Sequence, residues 1–136
     1  MKYLLDTNIC IYIINKRPAT ILDTIRSKHP DEISISSITI AELNYGAERS
    51  QNPHQNRIAI LEFLIPFNLL DFDQRAASCY GKIREELESK GTPIGPMDLL
   101  LASQATAYNL IFVTNNIKEF KRIDYLRLEN WLRKRL

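Results

Sequence analysis

Two cysteines, two histidines and one tryptophan in 136 residues leave this chain short of several chemistries. Cys10 and Cys79 are too few and too isolated for a disulfide framework or a zinc site, and each sits in an apolar-rich helical pattern where a buried free thiol is expected. His29 and His54 fall in loop-like or exposed stretches, away from the segments that carry other polar signals. Long hydrophobic runs are missing too: "ICIYII" is among the longest and falls far short of the ~20 residues a membrane span requires. The first residues enter strand-like sequence directly, without the basic start, apolar stretch and small-residue cleavage site of a secretory signal, so the cytoplasm is the expected compartment. No internal repeat, low-complexity tract or Gly/Ser-rich linker divides the chain. One domain over residues 1–136 is therefore expected, with a basic tail from about residue 130. Neither sign of charge dominates, since 18 Lys and Arg stand against 16 Asp and Glu.

What the chain does have is an uneven placement of that charge. From Ile117 onward, Lys118, Lys121, Arg122, Arg127, Arg133, Lys134 and Arg135 face only Glu119, Asp124 and Glu129, which leaves +4 at this end and −2 before it. A basic terminus of this kind suits a polyanion.

Periodicity supplies the elements. "KYLLD" is a short apolar run ended by turn chemistry, hence a buried strand, and "TNICIYIIN" continues at helical spacing. Pro18 starts a second helix that "HPDE" ends. "ISIS" is a second strand, and "SITIAELNYGAERS" is a helix entered through a Ser or Thr cap. Pro53 and Pro66 bracket a further helix. "FNLLDF" is a third strand, and Asp73 and Gly91 bracket a long helix. "GPMDLLLASQATAYN" has proline at a helix start, "LIFVT" is a fourth strand and "LRLENW" a short last one. This alternation predicts an α/β fold: three α/β/α layers in a single domain around a central, mainly parallel sheet. Ligands of such sheets bind beyond the carboxyl ends of the strands, near the point where strand order switches.

Three carboxylates stand out against that frame. Asp6 lies in the seam between two apolar runs, where an uncompensated charge is costly. Glu42 sits in the early turns of its helix among Ile38, Ile40, Ala41 and Leu43. Asp98 follows Pro96 and Met97 and runs directly into "LLLA". A helix N-terminus favours a carboxylate by about 0.3–1 kcal/mol, which accounts for either of the last two taken singly. Taken together, these residues and the "TNN" at Thr114–Asn116 are all directed at one sheet edge. Clustered carboxylates repel and raise one another's pKa unless a cation joins them. Oxygen ligands select a hard ion, Mg²⁺ or Mn²⁺. Capping of the first helix is then expected from Thr7 or Asn8.

"LLDTN", "SSITIAELNYGAE", "IGPMDLLLAS" and "LIFVTNNIKEF" followed by "LRLENW" resemble, in order and spacing, the PIN-domain ribonucleases, and within them the VapC toxins of bacterial toxin–antitoxin pairs. The resemblance covers essentially the whole chain. It implies an acidic Mg²⁺ or Mn²⁺ pocket that cleaves RNA, with Asp6 and Asp98 as the central metal ligands and Glu42 as the helix glutamate. Many family members place an aspartate where this chain has Asn116. The resemblance to an "NNxxEF" variant makes Glu119 the fourth acid, with Asn116 in support and the hydroxyls of Thr7 and Thr114 orienting the set. It also implies a tRNA substrate, with the initiator tRNA anticodon loop a candidate, and neutralisation by a VapB-like antitoxin in an assembly built on a homodimer. The amphipathic segments "TILDTIRSK" and "RIAILEFLI" are where an antitoxin or a second copy would dock.

The expected chemistry is metal-assisted hydrolysis, in which a carboxylate of the cluster takes the proton of the attacking water. Two ions about 4 Å apart would leave a 5′-phosphate and a 3′-hydroxyl. Lys118, Lys121, Arg122, Arg133, Lys134 and Arg135 would hold the RNA backbone in a salt-dependent way. Two other readings compete. One is a receiver-like phosphoacceptor domain using Asp71 and Asp73, which here lacks the acidic pair such domains carry after the first strand. The other is a catalytically inactive RNA-binding or interaction module of the same fold.

Overall fold

The computed structural model describes residues 1–132, so Arg133, Lys134 and Arg135 lie outside the described residues. The first strand, β1 (Tyr3–Leu5), is three residues long and buried throughout. It leads into α1 (Thr7–Ile14), followed by α2 (Ala19–Arg26), β2 (Ile33–Ser36), α3 (Ser37–Arg49) and α4 (Pro53–Leu64). Then come β3 (Asn68–Leu70), α5 (Gln74–Ser89), α6 (Pro96–Ala107), β4 (Ile111–Val113), α7 (Ile117–Phe120) and β5 (Leu128–Glu129). The helix signals act as their chemistry requires. Ser36 Oγ accepts the Ile38 N–H at 2.9 Å to open α3, and Asp73 Oδ1 accepts the Ala76 N–H at 3.0 Å to open α5. Gly91 takes φ +70° just beyond α5, a conformation that side chains resist. A 3-10 turn at Pro30–Glu32 and the four-residue α7 were not expected, because neither is long enough to display a period.

All five strands are parallel, in the order β3-β2-β1-β4-β5. The chain winds outward from β1 through β2 to β3, then returns across the sheet to β4 on the other side. The order therefore switches between β1 and β4.

Alternation along the strands feeds two cores. Leu4, Leu70 and Phe112 pack under α5, α6 and α7 through Ile83, Leu87, Leu101, Ala105 and Phe120. Tyr3, Leu5, Ile33, Ile35 and Val113 pack under α1 to α4 through Ile9, Cys10, Ile21, Leu43 and Ile60, with Trp131 closing the group. This is the expected three-layer α/β/α arrangement. Cys10 is fully buried, but Cys79 is only partly buried at the margin of the first core, which corrects the expectation of two buried thiols. The reason is helix phase: Ala76, Ile83 and Leu87 form the covered stripe of α5, and Cys79 stands at its flank.

Candidate active site

Asp6 follows β1 directly and is buried. Its Oδ1 accepts the Thr7 N–H at 2.8 Å, and its Oδ2 accepts the Thr114 hydroxyl at 2.8 Å. Asp6 is thus itself the cap of α1, which overturns the assignment of capping to Thr7 or Asn8. A carboxylate has two oxygens: one closes the helix while the other faces the site. Thr7 is unavailable as a cap because its hydroxyl is directed elsewhere.

That hydroxyl donates to Glu42 Oε1 at 2.7 Å and lies 3.0 Å from the hydroxyl of Thr39. Since its single proton is committed to Glu42, Thr39 must be the donor of the second bond. A relay runs from buried Thr39 through Thr7 to Glu42. Thr39 was not singled out in the sequence, although its place three residues before Glu42 puts both on neighbouring helix positions.

The other half of the site is built by α6 and α7. Asp98 occupies the third position of α6, behind Pro96. Glu119 of α7 accepts the Gly95 N–H at Oε1, 3.1 Å, and the Asn116 side-chain amide at Oε2, 2.5 Å. Asn116 therefore acts on Glu119 and does not itself replace an acid. Gly95 lies against both acids: a Cβ there would stand at ordinary contact distance, 3.4 Å from Asp98 Oδ2 and 3.9 Å from Glu119 Oε1. Gln104, fully buried on α6, accepts from Ser36 Oγ and donates to the Leu70 carbonyl at 3.1 Å. It ties α6 to the ends of β2 and β3. A buried glutamine on an apolar helix was the signal available for it.

The electrostatics show that the four acids share one space. Burial raises the pKa of Asp6, the bonds from Thr114 and Thr7 oppose the rise, and Glu42 and Glu119 add repulsion. Burial also lifts Asp98, further helped by its hydrogen bond to Glu119 and by repulsion from Glu119, Asp6 and Glu42, to about 7. The Asp98 carboxyl therefore exchanges its proton near neutral pH. Among the described residues no three His, Cys, Asp or Glu side chains are drawn together tightly enough to grip a metal ion as they stand. The donor set nonetheless fits a hard cation, because its members are oxygens and their mutual repulsion, which raises the pKa of Asp6 and Asp98, is what a cation would relieve. Asp6, Asp98, Glu42 and Glu119 are the residues that would hold it.

Of the expected RNA contacts, Lys118, Lys121 and Arg122 are exposed. Arg122 donates one bond to the Pro93 carbonyl at 2.8 Å and so anchors the loop that carries Gly95. Asp73, by contrast, caps α5 with one oxygen and accepts the Tyr108 hydroxyl with the other, and Asp71 stands alone and exposed. Neither is set up as a phosphoacceptor.

Comparison with known proteins agrees with this geometry. Residues 3–126 match the model of the PIN domain family. The chain is 48% identical over 132 residues to Ribonuclease VapC2 of Rickettsia felis, covering 96% of this chain and 98% of that protein. It is 44% identical to the tRNA(fMet)-specific endonuclease VapC of Shigella flexneri, with the same coverages. In solved structures it resembles the crystal structure of VapBC2 from Rickettsia felis bound to a DNA fragment from their promoter, with TM-score 0.90, 47% identity and coverage of 96% of this chain and 99% of that one. The DNA-bound VapBC of Salmonella typhimurium gives TM-score 0.91 at 43% identity, covering 96% of this chain and 98% of that one.

Proposed function

The chain belongs to the PIN-domain family, among its VapC ribonucleases, and from that premise we propose that it is a Mg²⁺- or Mn²⁺-dependent endoribonuclease, the toxin of a toxin–antitoxin pair. The observation that carries this reading is the meeting of Asp6, Glu42, Asp98 and Glu119 at the switch between β1 and β4. Asp6 and Asp98 with the two glutamates would hold a divalent ion, which when bound would supply charge neutralisation at the scissile phosphate and acidify the attacking water.

The protein's own groups do the rest. Thr114 favours the ionised form of Asp6 against the opposing effect of burial, and the Thr39–Thr7 relay aims Glu42. Glu42 Oε2 receives no protein donor among the described residues, so it is the oxygen free to accept a proton. Asp98 gives up its proton as pH rises through about 7, completing the acid set. Lys118 and Lys121 stand at the rim, next to Glu119, to hold RNA backbone.

The substrate we assign is tRNA, with initiator tRNA first in line, since the Shigella flexneri relative is named a tRNA(fMet)-specific endonuclease, and within it we assign the cut to the anticodon loop. The inhibitor is a small VapB-like antitoxin acting on a homodimer in the cytoplasm. The relatives' solved complexes are toxin–antitoxin assemblies, and α4 leaves Ile58, Leu61 and Ile65 exposed as an apolar stripe for docking, whereas the stripe of α2 is mostly covered. No helix among the described residues is long and apolar enough to cross a membrane.

Sequencing of RNA ends after incubation with the protein and Mg²⁺, with EDTA as control, tests this. One discrete metal-dependent cut in one tRNA is the expected result. No cut with Mg²⁺ or Mn²⁺ would favour the inactive binding module.

A further inference from the structure

On α3, one turn beyond Glu42, Tyr45 stands 65% exposed, a large ring for a protein to leave in water. The next turn places Arg49 on the same side, with its guanidinium 5.4 Å from the centre of the Tyr45 ring. Positions 42, 45 and 49 are three and four residues apart, so they line one helix face and extend from the acidic site along α3. The buried side of the same helix is carried by Thr39, Leu43 and Ala47, so the ring is not core displaced to the surface. Arg49 forms no salt bridge among the described residues, although acidic Glu48 beside it pairs with Arg57.

We infer that Tyr45 and Arg49 form a stacking subsite for one unpaired base of the RNA, beside the acidic site where the scissile phosphate is cut. The inference rests on the ribonuclease reading above and adds to it a place for a base. A flat ring with one open face takes a base by stacking, and a guanidinium beside it supplies a second planar surface and a charge for the adjoining phosphate. Stacking of this kind is indifferent to base identity, but it requires a nucleotide free of pairing, so it selects loops over duplex. Tyr45 is a binding residue that touches neither the ion nor the reacting phosphorus.

The test uses the full chain carrying Asp6→Asn, which binds without cutting, and two probes: a single-stranded hexaadenylate bearing one 2-aminopurine, and an abasic hexamer with the same backbone. Tyr45→Ala in that background is expected to weaken hexaadenylate binding about tenfold and to abolish the stacking quench of 2-aminopurine. It should leave abasic binding and the thermal midpoint unchanged, and Tyr45→Phe should restore both affinity and quench. Arg49→Ala should weaken both probes. Equal binding of hexaadenylate by the parent and Tyr45→Ala overturns the subsite, as does an equal loss on the two probes. A change in oligomeric state with RNA binding intact overturns it too and assigns the face to a protein contact. If wild-type protein cuts RNA while Tyr45→Ala cuts and binds equally well, only the subsite fails. If the Asp6→Asn parent binds neither probe and the wild type cuts no RNA, the ribonuclease reading fails with it.

Discussion

The two halves of the acidic site are held in different ways. Asp6 and Glu42, brought by β1 and α3, each accept a threonine hydroxyl from another element, Thr114 for the first and Thr7 for the second. Asp98 and Glu119, brought by α6 and α7, are instead paired with each other, with Glu119 steadied by Gly95 and Asn116. In the hydroxyl-held half the bond from Thr114 opposes the rise that burial imposes on the pKa of Asp6. The other half is proton-held: Asp98, pushed up to about 7, keeps its proton below that pH, and a cation must take the proton's place.

The largest effect should come from the hydroxyl-held half. Asp6→Asn removes a charge but keeps the shape of the cap, so it should fold with an unchanged circular dichroism spectrum and lower metal-dependent RNA cleavage by about 10³-fold. A fully active Asp6→Asn protein would sink the assignment.

The proton-held half predicts a pH dependence. The native pKa of Asp98 is raised from the ordinary 3.8 to about 7, so between these values the folded protein binds more protons than the unfolded chain. The stabilisation from this group is full below about pH 4 and is lost as pH rises towards 7, in the metal-free protein. Ion binding follows the opposite course. If one proton leaves Asp98 per ion bound, Mn²⁺ affinity measured by calorimetry should rise roughly fiftyfold between pH 5 and pH 7. Asp98→Asn should flatten the stability profile, and a profile unchanged by that substitution would show that the proton lies elsewhere.

Thr114→Val keeps the volume at a fully buried position but leaves Asp6 Oδ2 without a donor. It should cost about 1–3 kcal/mol in urea denaturation at neutral pH. Thr39→Val should have the smallest effect, because it acts on Glu42 only through Thr7. Cleavage should fall a few-fold, in kcat more than in KM, with Thr39→Ser restoring it. Thr7→Val should exceed it, and the double substitution should cost no more than Thr7→Val alone, since the two hydroxyls work in series.

Legibility in the sequence followed the range of the interactions. Asp6 and Glu42 could be directed to the carboxyl edge because each lies on a strand end or on the helix that leaves one. Asp98 does not meet that condition. Its helix α6 follows α5, and α5 is the helix that directly follows β3; at that start Asp73 is engaged as a cap and by Tyr108. Asp98 reaches the site because buried Gln104 anchors α6 to the ends of β2 and β3 and because the Gly95 N–H holds Glu119 beside the start of that helix. Thr39 and Gln104 escaped notice for the same reason: a buried polar side chain declares a partner but not which one.

The amino-acid sequence by itself determined the alternation of strands and helices and the parallel α/β class, because periodicity, caps and turn residues act over a few positions. Only the tertiary structure decided that Asp6 both caps α1 and faces Thr114, that Thr7 serves Glu42 instead of its own helix, and that Asp98 is paired with Glu119. Those outcomes depend on contacts between groups 21 to 108 positions apart in the chain, where the number of competing partners is large and packing alone selects among them.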